Sequence, residues 1–164
     1  MTIMSITKDP VARKLTVTAE FAAPAERVWE LWSDPRQLER WWGPPSCPAT
    51  VVDHDLTPGG RVTYFMELPD GETSKGWWKV RRVEPARLLE FDDGFANDDW
   101  SPNPAVPPTT GRVTFEEHEG LTRMFIETTF ATAESMDQLI SMGMEEGMAA
   151  ALGQIDDILR EVRS

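Results

Sequence analysis

The C-terminal segment of the chain limits the choice of folds more than any other feature. From Ser135 to about Val162 apolar residues recur at helical spacing, and Gln138 follows Ser135 at the distance of a capping box. Such a helix would be on the order of 40 Å long at about 1.5 Å per residue. Its apolar side needs a covering layer, and the segments before it have strand patterns. The chain is therefore predicted to wrap one sheet around this helix.

One face of the predicted helix is rich in methionine and also carries Gly143 and Gly147. Methionine adapts to irregular shapes. A glycine in a helix interior costs about 1 kcal/mol relative to alanine. Two glycines on this face therefore indicate close backbone packing, space left for a ligand, or a kink at Gly143. The apolar residues of the face are Met136, Ile140, Met144, Met148, Ala151, Leu152, Ile155 and Leu159.

Alternating apolar residues ahead of this helix predict an antiparallel sheet. In the last hairpin this alternation places Arg112 opposite Glu127 and Glu116 opposite Arg123, as cross-strand ion pairs on the outer face. Two short helices follow the first strand, and the whole pattern is that of an α+β fold. The predicted strands before the last hairpin cover residues 14–21, 50–55 and 88–92, with two longer strands between them that contain 62–66 and 76–80. The first helix has Pro24 in its first turn and ends near Ser33, and the second covers 34–42.

In the middle hairpin, around Asp70–Gly71, the register is predicted by requiring apolar residues to face apolar residues. The same register pairs Phe65 with Trp77 on the outer face. An exposed aromatic pair would be a candidate surface for a homodimer, unless a loop covers it through Trp100. On the inner face, apolar residues then lie opposite apolar residues: Val62, Tyr64 and Met66 against Val80, Trp78 and Gly76.

The composition fits one domain over residues 1–164. Hydrophobic residues make up 40% of the chain and charged residues 27%, the balance of an ordinary globular protein. Residues 1–12 are predicted to be a flexible terminal segment. Residues 92–111 contain several prolines and Trp100 without periodicity, which predicts a long loop. Loops of this length are uncommon and often functional, although an ordered surface excursion anchored by Trp100 explains the pattern equally well.

The charge balance excludes several classes of partner. With 28 acidic and 16 basic residues the formal charge is -12. A field of this sign repels phosphate backbones and anionic lipid surfaces, so neither nucleic acid nor membrane is an expected partner. The start of the sequence lacks the pattern of a secretory signal, and no segment has eighteen consecutive apolar residues. A cytoplasmic protein is therefore expected.

No motif for metal, cofactor or nucleophilic chemistry is present. Cys47, His54 and His118 are not spaced in the sequence as metal ligands are, so no metal site is predicted. A single cysteine excludes an internal disulfide. A G-x-S-x-G segment and a phosphate-binding loop are both absent. The predicted registers turn Glu116 and Glu127 outward. No catalytic residue and no cofactor are therefore assigned.

Two motifs in the first half of the chain, and a helix near its end, resemble a known superfamily. They are Ala23–Trp29 with Asp34–Pro35 and Trp41–Pro44, then Asp55–Arg61, and finally Gly147–Met148 where a Gly-Trp pair is usual. These segments are similar to the START-like, or helix-grip, superfamily, and particularly to the branch named for the C-terminal domain of an activator of a heat-shock-chaperone ATPase. The resemblance implies a curved sheet around a long C-terminal helix, with a cavity between them for apolar small molecules.

A small-molecule binding protein is the first functional hypothesis. Inside the fold Tyr64 and Trp78 supply a hydroxyl and an N–H that can orient a ligand, or else form an aromatic core pair. Arg82 is a candidate anion contact at the cavity mouth if its strand continues without a bulge; otherwise it extends into water. The predicted lining of the apolar or lipid-like ligand is Tyr64, Trp78, Phe91, Phe115, Met144 and Met148.

Two alternatives follow from the diversity of the superfamily. The first is a cofactor-independent enzyme of the cyclase or hydratase type, with Tyr64 and either His54 or Arg82 as acid–base groups. The second is a protein that regulates a chaperone ATPase, although the chain has no room for the separate N-terminal domain of the full activator. The sequence alone does not decide whether the protein is catalytic.

Overall fold

The computed structural model describes residues 2–161, and the side chains of residues 5–161. Within these residues eight strands form one antiparallel sheet, in the order β1-β2-β8-β7-β6-β5-β4-β3. The strands are β1 Thr2–Asp9, β2 Lys14–Phe21, β3 Ala49–His54, β4 Arg61–Glu67, β5 Thr73–Glu84, β6 Leu88–Ala96, β7 Thr109–His118 and β8 Leu121–Thr129. The helices are α1 Ala25–Ser33, α2 Pro35–Trp42, α3 Ala133–Ser141, α4 Met144–Leu152 and α5 Ile155–Arg160. The predicted α+β helix-grip class is confirmed.

Helices α1 and α2 cross from β2 to β3, which lie far apart in the sheet order. α1 buries Val28, Leu31 and Trp32, which are spaced along one helical face. α2 starts at Pro35, and the Asp34 side chain caps it by accepting a hydrogen bond from a backbone N–H. The indoles of these helices therefore enter the core from the side of the sheet that the C-terminal helices also cover.

The C-terminal helical region is interrupted, whereas one continuous helix was predicted. Gly143 has a φ of 90°, a left-handed conformation that separates α3 from α4 and that glycine adopts without strain. A second break at Gly153 separates α4 from α5. The alternative of a kink at Gly143 is therefore correct. Val162, the predicted helix end, lies outside the described residues, and the N-cap is Thr132 rather than Ser135.

Two segments predicted to be irregular contain strand. Thr2–Asp9 pair with β2 as the edge strand β1, in place of a flexible segment over residues 1–12, whose Met1 lies outside the described residues. The predicted loop 92–111 shortens to residues 97–108, since β6 runs on to Ala96 and β7 begins at Thr109. Backbone pairing of β6 with strands on both sides overrides the low strand propensity of its Asp and Gly residues.

The middle hairpin keeps its predicted faces but shifts its register by two residues. Tyr64 lies opposite Gly76 and not opposite Trp78. A shift of two leaves every side chain on its original face, because side chains alternate along a strand. Phe65 then lies opposite Lys75, so the predicted outer pair of Phe65 with Trp77 does not form. The last hairpin has the predicted register, with Arg112 opposite Glu127 and Glu116 opposite Arg123.

The ion pairs predicted within the last hairpin connect to other strands instead. Arg112 contacts Glu90 of β6 at 3.2 Å, and Arg123 contacts Glu20 of β2 at 3.4 Å. Both arginines are exposed enough for each pair to contribute less than about 1 kcal/mol. No helix in the described part of the chain is long and apolar enough to cross a membrane.

Candidate functional site

A cavity of about 330 Å³ lies between the sheet and the helices α2, α3 and α4. Asp93 is the one charged side chain among the residues that line it. Aromatic and aliphatic side chains form most of the remaining wall. The lining includes Trp32, Trp41, Trp42, Tyr64, Met66, Phe91, Phe95, Ile126, Leu139, Met144, Met148 and Leu152. A site of this size and character suits a small, mainly apolar ligand.

Four of the six predicted lining residues, Tyr64, Phe91, Met144 and Met148, line this cavity. Trp78 lies behind the wall, fully buried and stacked on the Phe91 ring at 4.1 Å. Phe115 is also buried, and its ring meets Trp29 edge-on at 5.8 Å. Both residues belong to the hydrophobic core and do not line the cavity.

Arg82 is not at the cavity mouth. A register shift between Val80 and Arg82 interrupts the alternation of β5, as a bulge does. The Arg82 side chain is exposed and pairs with Glu84 at 2.8 Å. The predicted anion contact depended on an unbulged strand, so the structure removes its geometric basis.

Asp93 was not among the predicted site residues, because the predicted strand ended at Asp92. In the structure β6 continues, and Asp93 lies opposite Trp78 of β5 and Thr109 of β7. The inward positions Leu89 and Phe91 carried the necessary signal, since the next residue on their face is Asp93. Extending the period-two pattern by one step places Asp93 on the inner face, but the pattern alone does not show that the strand continues that far.

The Tyr64 hydroxyl donates a hydrogen bond to Oδ1 of Asp93 at 3.1 Å. Burial raises the pKa of the Asp93 carboxyl to about 7, and the hydrogen bond from Tyr64 opposes this in part. Burial and the nearby Asp93 also raise the pKa of Tyr64 well above its usual value. The Asp93 side chain stays partly accessible, because it is reached from the cavity. The pair can therefore hold or release a proton near neutral pH.

Asp92, the carboxylate next to Asp93, has a cationic partner on the outer face of β6. Asp92 lies on the outer face, where it accepts hydrogen bonds from Arg81 at 2.9 Å and from Thr110 at 3.0 Å. The carboxylate of Asp93 has the Tyr64 hydroxyl alone as a hydrogen-bond partner within the described chain. The inward carboxylate therefore lacks the cation that its neighbour has.

Two indoles pack beside Tyr64. The Trp42 ring meets Tyr64 edge-on at 5.9 Å and Trp78 at 4.8 Å. The buried indole N–H groups of Trp42 and Trp78 have no hydrogen-bond partner in residues 5–161. Both N–H groups lower the pKa of Tyr64, against the larger effect of burial. Gly76 makes room for this arrangement, because a Cβ there would lie 2.4 Å from Cζ of Tyr64.

The rim of the cavity is formed by the loop 97–108 and the corner between α3 and α4. Val106 and Pro107 line it from the loop, and Met142, which is 60% exposed, lines it from the corner. The left-handed Gly143 creates this corner. Lys75 holds the loop by donating to a backbone carbonyl and by lying 4.9 Å from the centre of the Trp100 ring.

His54 lies apart from the cavity lining. Its Nε2 is 2.9 Å from the backbone oxygen of Trp32, so it joins β3 to α1. No three His, Cys, Asp or Glu side chains come together in the part of the chain that the structure describes.

Comparisons with known proteins identify relatives over nearly the whole chain. Protein Ms6760 from Mycobacterium smegmatis is 48% identical and has a TM-score of 0.91, with 99% of this chain and 100% of that chain covered. A protein from Arthrobacter aurescens is 46% identical with a TM-score of 0.93, and the match covers 99% of this chain and 95% of the other.

A curated relative matches over a much shorter stretch. Beta-hexosaminidase 1 from Coccidioides posadasii is 30% identical over 69 residues, which is 42% of this chain and 11% of that protein. So small a share of that protein does not carry its activity to this chain. The sequence model of one family, by contrast, matches residues 22–160. The chain therefore belongs to the family described as activator of Hsp90 ATPase homolog 1-like protein, whose fold often binds hydrophobic ligands.

Proposed function

We propose that this protein binds a small, mainly apolar molecule in the cavity between its sheet and α4, with a polar end of the molecule at Asp93 and Tyr64. The observation that carries the proposal is the apolar wall around a single inward hydrogen-bonded pair. Ligand sites typically combine such walls with a few polar groups that fix orientation. Membership of a family that often binds hydrophobic ligands supports the same function.

The space at α4 supports a ligand rather than a solid core. Gly147 lines the cavity, and a Cβ at this position would meet no heavy atom within 4 Å apart from its chain neighbours and the backbone of its own helix. Alanine in this helix position would be more stable by about 1 kcal/mol. The chain therefore leaves open a position that a larger residue could fill.

Native mass spectrometry and thermal unfolding with a panel of apolar and amphiphilic compounds would test the proposal. We expect bound species of small-molecule mass and an increase in unfolding temperature that grows with ligand concentration. A protein that retains no compound from the panel and shows no thermal shift would overturn the proposal.

Replacing Gly147 with leucine should weaken ligand binding without unfolding the protein. The new side chain would project into the open part of the cavity, so it competes with the ligand for space. We expect the affinity to fall at least about tenfold, which corresponds to about 1.4 kcal/mol. Ala150→Leu is the matched control, because Ala150 is exposed on the same helix. Equal binding by both variants would place the ligand elsewhere.

A second candidate function is a cofactor-independent acid–base enzyme, and the pKa of about 7 at Asp93 favours it. A general acid or base works best with a pKa near the operating pH. In this candidate Asp93 transfers the proton and Tyr64 positions its carboxyl group; His54 and Arg82 have no role.

Mass spectrometry of ligands recovered with the protein would show whether they are chemically converted. Asp93→Asn should slow conversion by about 100-fold or more while the ligand still binds; unchanged conversion would exclude Asp93 as the catalytic group.

A further inference from the structure

We infer that the cavity is built for an organic cation: an apolar amine or ammonium whose positively charged nitrogen lies against the free carboxylate oxygen of Asp93. This inference rests on the proposed function, since it names the chemistry of the ligand in the same cavity. It assigns the polar end of the ligand a charge and a partner atom.

The Asp93 carboxylate has no cation beside it in the cavity lining. Buried charges in proteins are normally paired, because an isolated charge in an apolar environment is costly. Oδ1 of Asp93 accepts from Tyr64, and Oδ2 has no hydrogen bond or ion pair within residues 5–161. The lining contains no lysine, arginine or histidine. A cation that enters the cavity would supply the partner that the chain itself does not.

The lack of a cationic partner is confined to the cavity side of β6, because the outer face of this strand has its carboxylates paired. The neighbouring Asp92 on the outer face pairs with Arg81 at 2.9 Å. Glu90, two residues earlier on the outer face, pairs with Arg112 at 3.2 Å. The inward carboxylate of the same strand is the one left for a ligand.

Several aromatic rings line the same cavity as the Asp93 carboxylate. The rings of Trp42, Tyr64, Phe91 and Phe95 all line the cavity, and the first two meet edge-on at 5.9 Å. Aromatic faces attract cations, and aromatic cages are a common way to recognise ammonium groups. A carboxylate combined with such rings suits a cation more closely than a neutral molecule.

At the Asp93–Tyr64 pair itself, the polarity of the hydrogen bond disfavours an anion. The Tyr64 hydrogen is already donated to Asp93, so the pair presents an acceptor oxygen to the cavity. An ionised carboxylate would repel an anionic ligand. The net charge of -12 also raises the local concentration of cations around the protein.

The affinity for a cation should rise with pH as Asp93 ionises. Asp93 and Tyr64 are the titratable side chains in the lining, and the lining residues of α3 and α4 are uncharged. On the neighbouring strands Asp93 faces Trp78 and Thr109, neither of which titrates. An aliphatic ammonium keeps its charge from about pH 5 to about pH 8, so the change over this range reports on Asp93.

Two pairs of probes with matched shapes would test the inference by calorimetry: naphthylmethylamine with naphthylmethanol, and octylamine with octanol. At about pH 8 we expect each amine to bind at least about tenfold more tightly than its alcohol, because hydrogen bonds to charged groups are the stronger kind. At about pH 5 this advantage should fall to about threefold or less, because Asp93 is then protonated. The alcohol affinities should change little between the two pH values.

Two asparagine variants complete the experiment. Asp93→Asn should remove the advantage of the amines at about pH 8 and leave the alcohol affinities within about threefold. Asp92→Asn is the control, since it removes the adjacent carboxylate on the outer face, and it should keep the advantage.

The outcomes separate the inference from the proposed function. Alcohols that bind as tightly as their amines at about pH 8 overturn the cation inference and leave the proposed function standing. An unchanged amine advantage in Asp93→Asn also overturns the inference. If none of the four probes binds, the inference is overturned; the proposed function fails with it only when the panel of apolar compounds also gives no bound species and no thermal shift.

Discussion

Asp93→Asn is expected to raise the free energy of unfolding of the ligand-free protein at about pH 8 by up to about 4 kcal/mol. Burial raises the pKa of Asp93 from 3.8 to about 7, and each pKa unit corresponds to about 1.4 kcal/mol. Asparagine has nearly the same shape and carries no charge to bury. It can also keep a hydrogen bond with Tyr64. The partial accessibility of Asp93 from the cavity reduces the gain below this upper limit.

The sign of the pH dependence follows from the direction of the shift. Between about pH 4 and about pH 7 the unfolded chain has lost the Asp93 proton while the folded chain retains it. The folded state therefore binds more protons, and the contribution of Asp93 to stability decreases as the pH rises through this window. Below about pH 4 both states are protonated, and above about pH 7 the full penalty persists. The difference between variant and wild type should appear within this window.

Urea denaturation of both proteins at several pH values from about 4 to about 8 would measure this difference. Asp137→Asn, an exposed position on α3, is the control and should change stability by less than about 0.5 kcal/mol at every pH. A variant that is no more stable than wild type at about pH 8 would contradict the assignment of Asp93 as a desolvated carboxyl.

Trp32→Ala should lower the free energy of unfolding by about 3–5 kcal/mol, the usual cost of removing a large aromatic side chain from a core. Trp32 is fully buried on α1. Its ring lies 4.7 Å from Trp41 and 6.0 Å from Trp78 between ring centres, and its indole N–H donates to Sδ of Met124 at 3.4 Å. The substitution would therefore leave a large gap where α1, α2 and the sheet meet.

Thermal and urea unfolding would measure the loss, and Trp100→Ala provides a control of identical chemistry. Trp100 lies on the loop 97–108, where it contacts Lys75, so its replacement should cost less than about 1 kcal/mol. A loss at Trp32 as small as that at Trp100 would show that the tryptophan cluster does not hold the helices on the sheet.

The two expected effects have opposite signs, and the difference separates a residue that packs the fold together from an inward carboxyl group. Trp32 stabilises the fold through packing, whereas Asp93 reduces stability at neutral pH. Residues that cost stability often belong to functional sites, where binding compensates for the cost. A cationic ligand that binds at Asp93 would raise the free energy of unfolding again, because it supplies the missing ion pair.

Some site residues could be predicted because they depend on short-range patterns. The alternation around Tyr64 and Phe91 correctly assigned both to the inner face, and helical spacing correctly placed Met144 and Met148 toward the sheet. Trp78 was assigned to the correct face as well. Periodicity distinguishes an inward residue from an outward one, but it does not distinguish a cavity wall from the core behind it.

The sequence by itself determined the class of fold, the faces of the strands and the apolar side of the C-terminal helices, because each of these follows from a local repeat of two or about 3.6 residues. Only the tertiary structure decided where β6 ends, and so whether Asp93 faces the cavity. Its pairing with strands on both sides extends it through residues of low strand propensity. The structure also decided the register that places Tyr64 over Gly76 and the break at Gly143. Turn geometry sets the register, and backbone conformation at Gly143 sets the break. A hydrophobic pattern is compatible with more than one register and with either a continuous or a broken helix.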